Sequence, residues 1–410
     1  MTEVKLPLEV KYIIEELNRT GFEAYAVGGC IRDSLLGRKP NDWDITTSAK
    51  AEDVMNLFDK TIPTGIKHGT VTVILNEKNY EVTTFRIDGE YKDNRRPSEV
   101  IFVNDIKEDL ARRDFTINAL AYNEKVGLVD YYFGVNDLRS KIIRAVGNPS
   151  KRFNEDALRM IRAVRFSAQL GFDIEKNTLL AIKENYRLLQ SISIERIRSE
   201  FDKLILANPG HIRLLSDVGL LEVILPELNA SEGLIKSINL AINVPKKLHL
   251  LLTMLLYNIC KVNNISEKIL KRMKYDNKTI KQVSVMISYL NVDINDKISI
   301  KKVLNKIGEE AFEDLLVLKK SYILNSNTLK KEEIMNLEKI EKEFIEIKMN
   351  KECFSIKSLN INGNDLIELG INKGSEIGKV LNYLLEIVIK DPNLNSKKYL
   401  LEKVKEDINK

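Results

Sequence analysis

The sequence has 410 residues, of which 44% are hydrophobic and 30% are charged, which is typical of folded globular proteins and not of disordered or fibrous ones. This length allows two or more domains, each with a buried core. The formal net charge is only +5, so a nucleic-acid partner would have to bind a local basic surface.

The cysteines and the chain start indicate the compartment. Cys30, Cys260 and Cys353 form no CxxC motif, which argues against a disulfide framework or a zinc site and fits a reducing cytosol. The first residues, MTEVKLPLEV, have no signal-peptide pattern. The longest apolar run, LHLLLTMLLYNIC (248–260), is too short to span a bilayer and predicts a buried helix. We therefore expect a cytoplasmic protein without a membrane partner.

The first third of the chain predicts short strands alternating with helices. The segment CIRDSLLG (30–37) predicts a short helix closed by Gly37. The polar stretch RIDGEYKDNRRPSE (86–99) has no period and predicts a mobile loop. Strands are predicted, from β-branched content and partial alternation, in FEAYAVGG (22–29), DWDITT (42–47), TVTVILN (70–76) and YEVTTFR (80–86).

After about residue 148 strand signals fade and helical patterns dominate. Long helices are predicted in SKRFNEDALRMIRAVRFSAQL (150–170), ISIERIRSEFDKLILA (192–207) and LLVLKKSYIL (315–324). The fold class is therefore α+β, with an N-terminal mixed sheet and helices followed by an all-helical remainder. His68, His211 and His249 are too scattered to suggest a metal cluster, so we expect structural roles for them.

Two carboxylates form a candidate metal site. Asp42 and Asp44 are two residues apart on a predicted strand, so both point to one face while Trp43 points to the other. Paired carboxylates can hold Mg²⁺, which prefers oxygen ligands and leaves positions for substrate phosphates. A lone DxD is also common on surface strands. Glu81, on a neighbouring predicted strand, is a candidate third carboxylate or simply a solvated one.

A glycine pair precedes these carboxylates. A strand ends at Gly28 and Gly29 and a helix begins, which lets backbone N–H groups approach a phosphate closely. Arg32 is expected to contact a triphosphate, whereas Asp33 is expected to cap the helix or to pair locally. No GxxxxGK[ST] sequence occurs, which excludes a P-loop.

This succession of strand, Gly-Gly, short helix and DxD resembles the polymerase β-type nucleotidyltransferases. Five segments resemble, in order, the motifs of class II tRNA nucleotidyltransferases, the bacterial and eukaryotic CCA-adding enzymes. The resemblance covers roughly residues 20–200. The segments are GGCIRDSLLGRKPNDWD (28–44), RRDFTINALAYN (112–123), DYYFGVNDL (130–138), EDALRMIRAVRF (155–166) and ERIRSE (195–200).

The resemblance implies an enzyme that adds CCA to the 3′ end of tRNA from CTP and ATP, without a template and with release of pyrophosphate. It implies Mg²⁺ at Asp42 and Asp44, with one metal activating the attacking hydroxyl and another binding pyrophosphate. It also implies a seahorse-shaped chain. Its parts would be a nucleotidyltransferase head (1–147), a helical neck with the nucleotide-selecting helix (148–208), a body (209–300) and a tRNA-binding tail (301–410).

The segment NEDALRMIRAVRF (154–166) places one acid and three arginines, Asp156, Arg159, Arg162 and Arg165, on a single helical stripe. Such arginines can simply reach solvent or pair elsewhere. Cytosine and adenine, however, each present an amine donor beside a ring-nitrogen acceptor. Asp156 would accept from the amine and Arg159 would donate to the ring nitrogen, so uracil and guanine would mispair.

The remaining basic residues of these motifs have less specific assignments. Arg162 and Arg165 would contact the nucleotide's sugar and phosphates or orient the reading pair. Arg113 resembles an additional nucleotide contact of the family. Arg112 is either a similar contact or a surface charge, and Asp114 is expected to be the N-cap of the helix TINALA.

Two further segments carry open alternatives. ERIRSE (195–200) is expected to brace its helix through i,i+4 pairs, Glu195 with Ser199 or Arg196 with Glu200, or else to contact tRNA. KKSYILNSNTLKK (319–331) either binds tRNA phosphates or is a solvated helix face.

Alternative functions are an A-adding tRNA nucleotidyltransferase, a bacterial poly(A) polymerase and an inactive tRNA-binding relative. In the family that these motifs resemble, enzymes that add only CC have this loop shortened. Here the loop at 86–99, which carries Arg95 and Arg96, is intact, so the resemblance disfavours an enzyme that adds only CC. The mixed-sign tail LEKVKEDINK disfavours a poly(A) polymerase. The presence of both DxD carboxylates disfavours an inactive relative.

Overall fold

The computed structural model describes residues 3–89, 100–229, 232–263, 265–325, 331–371 and 374–408. The chain divides into two compact units, Met1–Ser231 and Glu232–Lys410. The finer division into head, neck, body and tail stays a prediction.

The first unit contains a mixed sheet and many short helices. Its strands are β1 (Ala24–Val27), β2 (Asp44–Thr47), β3 (Thr61–Gly65), β4 (Thr70–Leu75), β5 (Lys78–Thr84), β6 (Arg86–Asp88), β7 (Val100–Phe102), β8 (Ala121–Asn123), β9 (Gly127–Val129), β10 (Ile142–Ile143) and β11 (Asp173–Ile174). Its helices are α1 (Leu8–Arg19), α2 (Gly29–Leu35), α3 (Ala51–Leu57), α4 (Ile106–Ala111), α5 (Gly134–Ser140), α6 (Pro149–Glu155), α7 (Leu158–Leu170), α8 (Lys176–Asn185), α9 (Ile194–Ala207), α10 (Ile212–Asp217), α11 (Leu220–Ile224) and α12 (Pro226–Asn229).

The principal sheet has seven strands in the order β3-β4-β5-β2-β1-β8-β9. β2 and β5 are parallel, and the other neighbouring pairs are antiparallel. All four residues of β1 are buried, as expected of a central strand covered on both faces. This arrangement confirms the predicted mixed sheet, and it places β2, which begins at Asp44, between β1 and β5.

Two local predictions need correction. The segment predicted as a loop from residue 86 begins with a strand, β6, which pairs antiparallel with β7. Both strands have only three residues, too few for a period to be recognised in sequence. Arg95 and Arg96 lie outside the described residues. Asp42 precedes β2 and does not lie on the strand.

The helix predicted over 150–170 is broken. α6 ends at Glu155 and α7 begins at Leu158. Asp156 between them has extended backbone angles, φ −140° and ψ 104°. Its carboxylate accepts a hydrogen bond of 3.1 Å from the backbone N–H of Leu158, which is free at a helix start. The acid that was expected within the helix therefore lies just before it.

The described elements of the second unit are helical, which confirms the predicted all-helical remainder. They are α13 (Leu234–Ile242), α14 (Leu248–Asn263), α15 (Ser266–Arg272), α16 (Asn277–Leu290), α17 (Lys297–Ile307), α18 (Glu309–Leu324), α19 (Lys331–Met349), α20 (Gly363–Glu368), α21 (Ser375–Lys390) and α22 (Lys397–Ile408).

The apolar run at 248–260 forms the buried part of α14, as predicted, with Leu250, Leu251 and Leu255 at 1% exposure or less. In the C-terminal part of the unit, Leu384 and Val388 of α21 are fully buried with Leu366 and Leu400. Among the helices that the structure describes, none is long and apolar enough to cross a membrane.

Candidate active site

Three carboxylates converge at the start of β2. Asp44 lies opposite Glu81 in the parallel pair of β2 and β5, so the two side chains share one face of the sheet. Burial raises the pKa of Asp44, the Arg113 guanidinium opposes this, and the negative charges of Glu81 and Asp42 raise the pKa of Asp44 further. The sheet register thus brings Glu81 beside Asp44.

These carboxylates fit a divalent cation by their chemistry. Within the described part of the chain, no ion pair or side-chain hydrogen bond engages the carboxylates of Asp42, Asp44 or Glu81, so their charge is not neutralised by a fixed partner. No three Asp, Glu, His or Cys side chains of the described ranges are close enough to form a complete metal site. Mg²⁺ is usually held by one or two carboxylates together with substrate phosphates, so a two-carboxylate site suits it.

Gly28 allows an arginine to approach these carboxylates. Its φ of +85° and ψ of −129° fall in a region that favours glycine. A Cβ placed on Gly28 would lie only 2.9 Å from Nη1 of Arg113. Arg113 also donates a hydrogen bond of 3.3 Å to the buried Asp109. Its Nε is buried and has no hydrogen-bond partner within the described residues. The guanidinium of Arg113 therefore acts on Asp44 through its charge.

Arg32 is held by protein groups. Its Nε and Nη2 each donate a hydrogen bond of 2.9 Å to Asp33, which confirms that Asp33 pairs locally. Its Nη1 donates one of 2.7 Å to Asn118. Asn118 in turn donates one of 3.0 Å to Asp114. The predicted triphosphate contact is thus connected through Asn118 to the segment that carries Arg113.

Two predictions for this segment were wrong. Arg112 is not a surface charge, because its guanidinium binds the fully buried Asp109 at 2.7 Å. Asp114 caps no helix, since a short 3₁₀ turn, Thr116–Asn118, starts there without a side-chain cap. Asp114 accepts hydrogen bonds from Arg162 instead, at 2.9 Å from Nε and 2.5 Å from Nη2.

The ion pair with Arg162 changes how Asp114 titrates. Burial alone would raise the pKa of Asp114, but Arg162, Asn118 and Arg159 overcome this effect and hold the pKa well below its usual range. Asp114 is therefore a permanent anion that fixes Arg162, although 48 residues separate the two in sequence.

The proposed reading pair is held by partners that the sequence did not reveal. Nη1 of Arg159 donates a hydrogen bond of 2.7 Å to Glu155, and Nη2 donates one of 2.7 Å to the carbonyl oxygen of Arg112. Asp156 accepts a hydrogen bond of 2.9 Å from Nη2 of Arg196. Because Arg159 also contacts the backbone of Arg112, α7 is linked directly to the segment at Arg113.

The side-chain pairs predicted within ERIRSE were wrong, because Arg196 and Glu200 bind residues outside α9. Arg196 binds Asp156, and Glu200 binds Arg165 at 2.5 Å between a carboxylate oxygen and Nε. Both contacts join α9 to the start or the body of α7, and neither is an i,i+4 pair within α9. The segment does have a structural role, which is to brace one helix against another.

A cavity of about 700 Å³ is lined by two residues that bind Arg159, Glu155 and Arg112, although neither Arg159 nor Asp156 lines it. Its lining includes Glu155, Arg112, Asp88 and Lys151. Neither Asp42 nor Asp44 lines it. The Arg112–Arg113 segment lies between the carboxylates and this cavity, because the carbonyl oxygen of Arg112 binds Arg159 and the charge of Arg113 acts on Asp44.

Two residues of the second unit, Lys319 and His249, are engaged by protein groups. Lys319 donates hydrogen bonds to the carbonyl oxygens of Leu290 and Val292, at 2.9 Å and 2.8 Å, and burial lowers its pKa. Its ammonium group is thus engaged in the second unit. His249 contacts Asp314 at 2.7 Å, in agreement with the structural role expected for it.

Comparisons with known proteins cover nearly the whole chain. The family described as Poly A polymerase head domain matches residues 24–144. A probable RNA- and SrmB-binding site of polymerase A matches 171–232, and a putative tRNA nucleotidyltransferase domain 2 matches 246–404.

Full-length relatives are similar throughout. The CCA-adding enzyme of Pediococcus pentosaceus is 37% identical over 405 residues, which is 97% of each chain. That of Lactobacillus helveticus is 38% identical over 411 residues, 98% of each chain. The crystal structure of the Bacillus stearothermophilus CCA-adding enzyme in complex with CTP superposes with a TM-score of 0.80 and 33% identity, over 99% of this chain and 100% of that one.

The mixed sheet with its carboxylates and the helical remainder define a nucleotidyltransferase with a polymerase β-type head. Within that class, the chain belongs to the family of CCA-adding enzymes. The family resemblance of the five sequence motifs is thereby confirmed.

Proposed function

We propose that this protein completes the 3′ CCA end of tRNA from CTP and ATP, without a nucleic-acid template, and releases pyrophosphate. The observation that carries the proposal is the juxtaposition of Asp44 with Glu81, Asp42 and Arg113 at the start of β2. It places carboxylates without a fixed hydrogen-bond partner near a guanidinium, which suits metal-dependent transfer of a nucleotidyl group from a triphosphate to a hydroxyl. The CTP complex of the Bacillus stearothermophilus relative supports the choice of substrate.

Asp42 and Asp44 are proposed to hold Mg²⁺, and Glu81 adds negative charge that acts on Asp44. Bound Mg²⁺ supplies activation of the attacking 3′-hydroxyl and neutralises charge at the α-phosphate and on the pyrophosphate. The protein's contribution is to hold Asp44 and Glu81 in fixed register on two hydrogen-bonded strands, so little reorganisation is needed when the nucleotide arrives.

The triphosphate is proposed to bind between the Gly28–Gly29 turn and the arginine cluster. The glycines permit close approach of the backbone. Arg113, whose Nη1 lies close to Gly28, is proposed to contact the phosphates, with Arg32, Arg162 and Arg165 as further contacts.

Asp156 and Arg159 are proposed to select cytosine and adenine. Arg196 holds the acid and Glu155 holds the arginine, so both groups approach the base in fixed orientations. A carboxylate accepts several hydrogen bonds and a guanidinium carries five N–H groups, so each retains capacity for the base.

The partner RNA is proposed to be gripped through phosphates of its acceptor arm, which gives salt-dependent binding with little sequence preference. The exposed Lys320 remains a candidate for this contact, unlike the engaged Lys319. A cytosolic location is proposed because Cys30, Cys260 and Cys353 are all free thiols.

The test is to incubate the purified protein with tRNA that ends at the discriminator base, together with CTP, ATP and Mg²⁺, and to sequence the added nucleotides. Addition of CCA is expected. Addition of a single A only to tRNA that already ends in CC would indicate an A-adding enzyme. Long A tracts would indicate a poly(A) polymerase. Retention of tRNA without any addition would overturn the proposal.

A further inference from the structure

Phe166 of α7 is surrounded by three guanidinium groups. The ring is 4% exposed. The central guanidinium carbons lie near its centroid, that of Arg165 at 3.9 Å, that of Arg32 at 5.1 Å and that of Arg162 at 5.3 Å. All three distances fall within the range of cation–π attraction, about 6 Å. One buried ring thus contacts three of the arginines assigned above to the nucleotide.

The three arginines come from two helices of the first unit. Arg32 belongs to α2, beside the Gly28–Gly29 turn, whereas Arg162 and Arg165 lie on α7. Their positive charges repel one another. Burial lowers the pKa of Arg165, Glu200 opposes this, and the neighbouring Arg162 and Arg32 lower it further. Other groups of the protein must therefore hold these three cations together in the absence of the nucleotide.

Carboxylates provide part of the attraction that holds the three arginines together. Arg32 is bound to Asp33, Arg162 to Asp114 and Arg165 to Glu200. Glu200 also lies 3.9 Å from Nη1 of Arg162, but no carboxylate of the described residues pairs with all three arginines. Phe166 is the group that all three arginines share.

The ring itself is held in place. Phe115, which follows Asp114 in sequence, meets Phe166 edge to face, with centroids 5.7 Å apart and an interplanar angle of 82°. Edge-to-face packing is the favoured arrangement of aromatic pairs. Phe166 is thus fixed by the same segment that carries Arg113 and Asp114.

We propose that Phe166 is a positioning residue, which gathers Arg32, Arg162 and Arg165 so that the N–H groups not used in these ion pairs meet the triphosphate of the incoming nucleotide. The inference rests on the proposed function, since it assumes that these arginines bind the nucleotide. A cation–π contact uses the face of a guanidinium and leaves its in-plane N–H groups to donate. The ring adds no formal negative charge, so it stabilises the cations without competing with the anionic substrate, as a further carboxylate would.

The test replaces Phe166 with phenylalanines that carry one to five ring fluorines. Fluorine withdraws electron density from the ring face and weakens cation–π attraction while the shape of the side chain is nearly kept. The KM for CTP and for ATP is expected to rise stepwise, to about tenfold in the pentafluoro protein, with kcat changed less than about threefold. Both nucleotides should respond alike, and the KM for tRNA should stay constant. Phe166→Leu should reproduce the rise, and Phe166→Tyr should largely restore the original KM.

Phe172 provides the matched control. It is buried to a similar extent, at 5% exposure, and no guanidinium of the described residues lies over its ring. The same fluorinated series at Phe172 should leave the KM for nucleotides unchanged. If KM is constant along the Phe166 series in a protein that still adds CCA, the inference fails while the proposed function stands. If the unmodified protein adds no nucleotide, the proposed function itself fails.

Discussion

Arg196 of α9 donates a hydrogen bond of 2.9 Å to the carboxylate of Asp156 in the break between α6 and α7. The preceding acid, Glu155, accepts one of 2.7 Å from Arg159. Two adjacent acids therefore hold two different arginines, one from each of the helices α7 and α9. The groups proposed to read the base are fixed by Glu155 and Arg196 before any base arrives.

The choice of base should depend on Asp156 and Arg159 and on the residues that hold them in place. Asp156→Ala or Arg159→Ala should admit UTP or GTP more than it slows transfer, because the wrong bases no longer leave polar groups mispaired. Glu155→Gln should have the same direction of effect, since it removes the charge that orients Arg159. The loss of discrimination expected is about tenfold or more. The measurement is incorporation of all four nucleotides on tRNA that lacks its tail.

The control for base choice is Glu195→Gln, which removes one exposed carboxylate from α9. It should leave discrimination as in the unchanged protein. Unaltered discrimination in all three of the test variants would contradict the assignment of Asp156 and Arg159.

The DxD carboxylates should be essential for chemistry and dispensable for RNA binding. Asp42→Ala is expected to abolish incorporation from CTP and ATP, because a ligand of the proposed Mg²⁺ is lost, while tRNA retention on a filter stays mostly intact. Asp59→Ala, at an exposed position of the same unit, is the matched substitution and should be active. Full incorporation by the Asp42 variant would remove Asp42 from the metal site.

Gly28→Ala should impair nucleotide addition through Arg113. The substitution combines a backbone conformation that disfavours a side chain with a Cβ 2.9 Å from Nη1 of Arg113. Gly21→Ala separates the two effects, since Gly21 has a φ of +92° but no atom within 4 Å of its added Cβ. Both variants should lose stability, by roughly 1–3 kcal/mol from the backbone alone. Only the Gly28 variant should show a raised KM for nucleotides, and an equal KM in the two variants would argue against the role of Arg113.

The ion pair of Asp114 and Arg162 should make stability depend on acid pH. The pKa of Asp114 is lowered in the folded state, so its contribution is complete above its unfolded value of 3.8 and is lost as pH falls towards the folded pKa. Asp114→Asn should cost about 3 kcal/mol at pH 7, because it leaves Arg162 without its charged partner. The difference in the free energy of unfolding between the two proteins, from urea titrations, should shrink below about pH 4. A difference that is constant down to pH 3 would mean that the pair with Arg162 does not lower the pKa of Asp114.

Much of the fold was predictable because its signals are local. β-branched runs identified β2, β4 and β5, and the Gly-Gly pair identified the start of α2. The break at Asp156 was not predictable. The apolar residues keep a helical period across the break, and Arg196, which binds Asp156, lies 40 residues away in sequence. The same is true of the bond between Asp114 and Arg162, which are 48 residues apart. A single sequence shows which charged residues are present but not which distant residue each one contacts.

The burial of all three cysteines has a practical consequence for following this enzyme at work. Burial raises the pKa of Cys30 to about 11, so its thiol stays protonated at neutral pH and reacts slowly with maleimides. A cysteine introduced on the surface of each unit would therefore be labelled in preference to the native ones. Two fluorescent dyes placed in this way would report the distance between the units as each of the three nucleotides is joined.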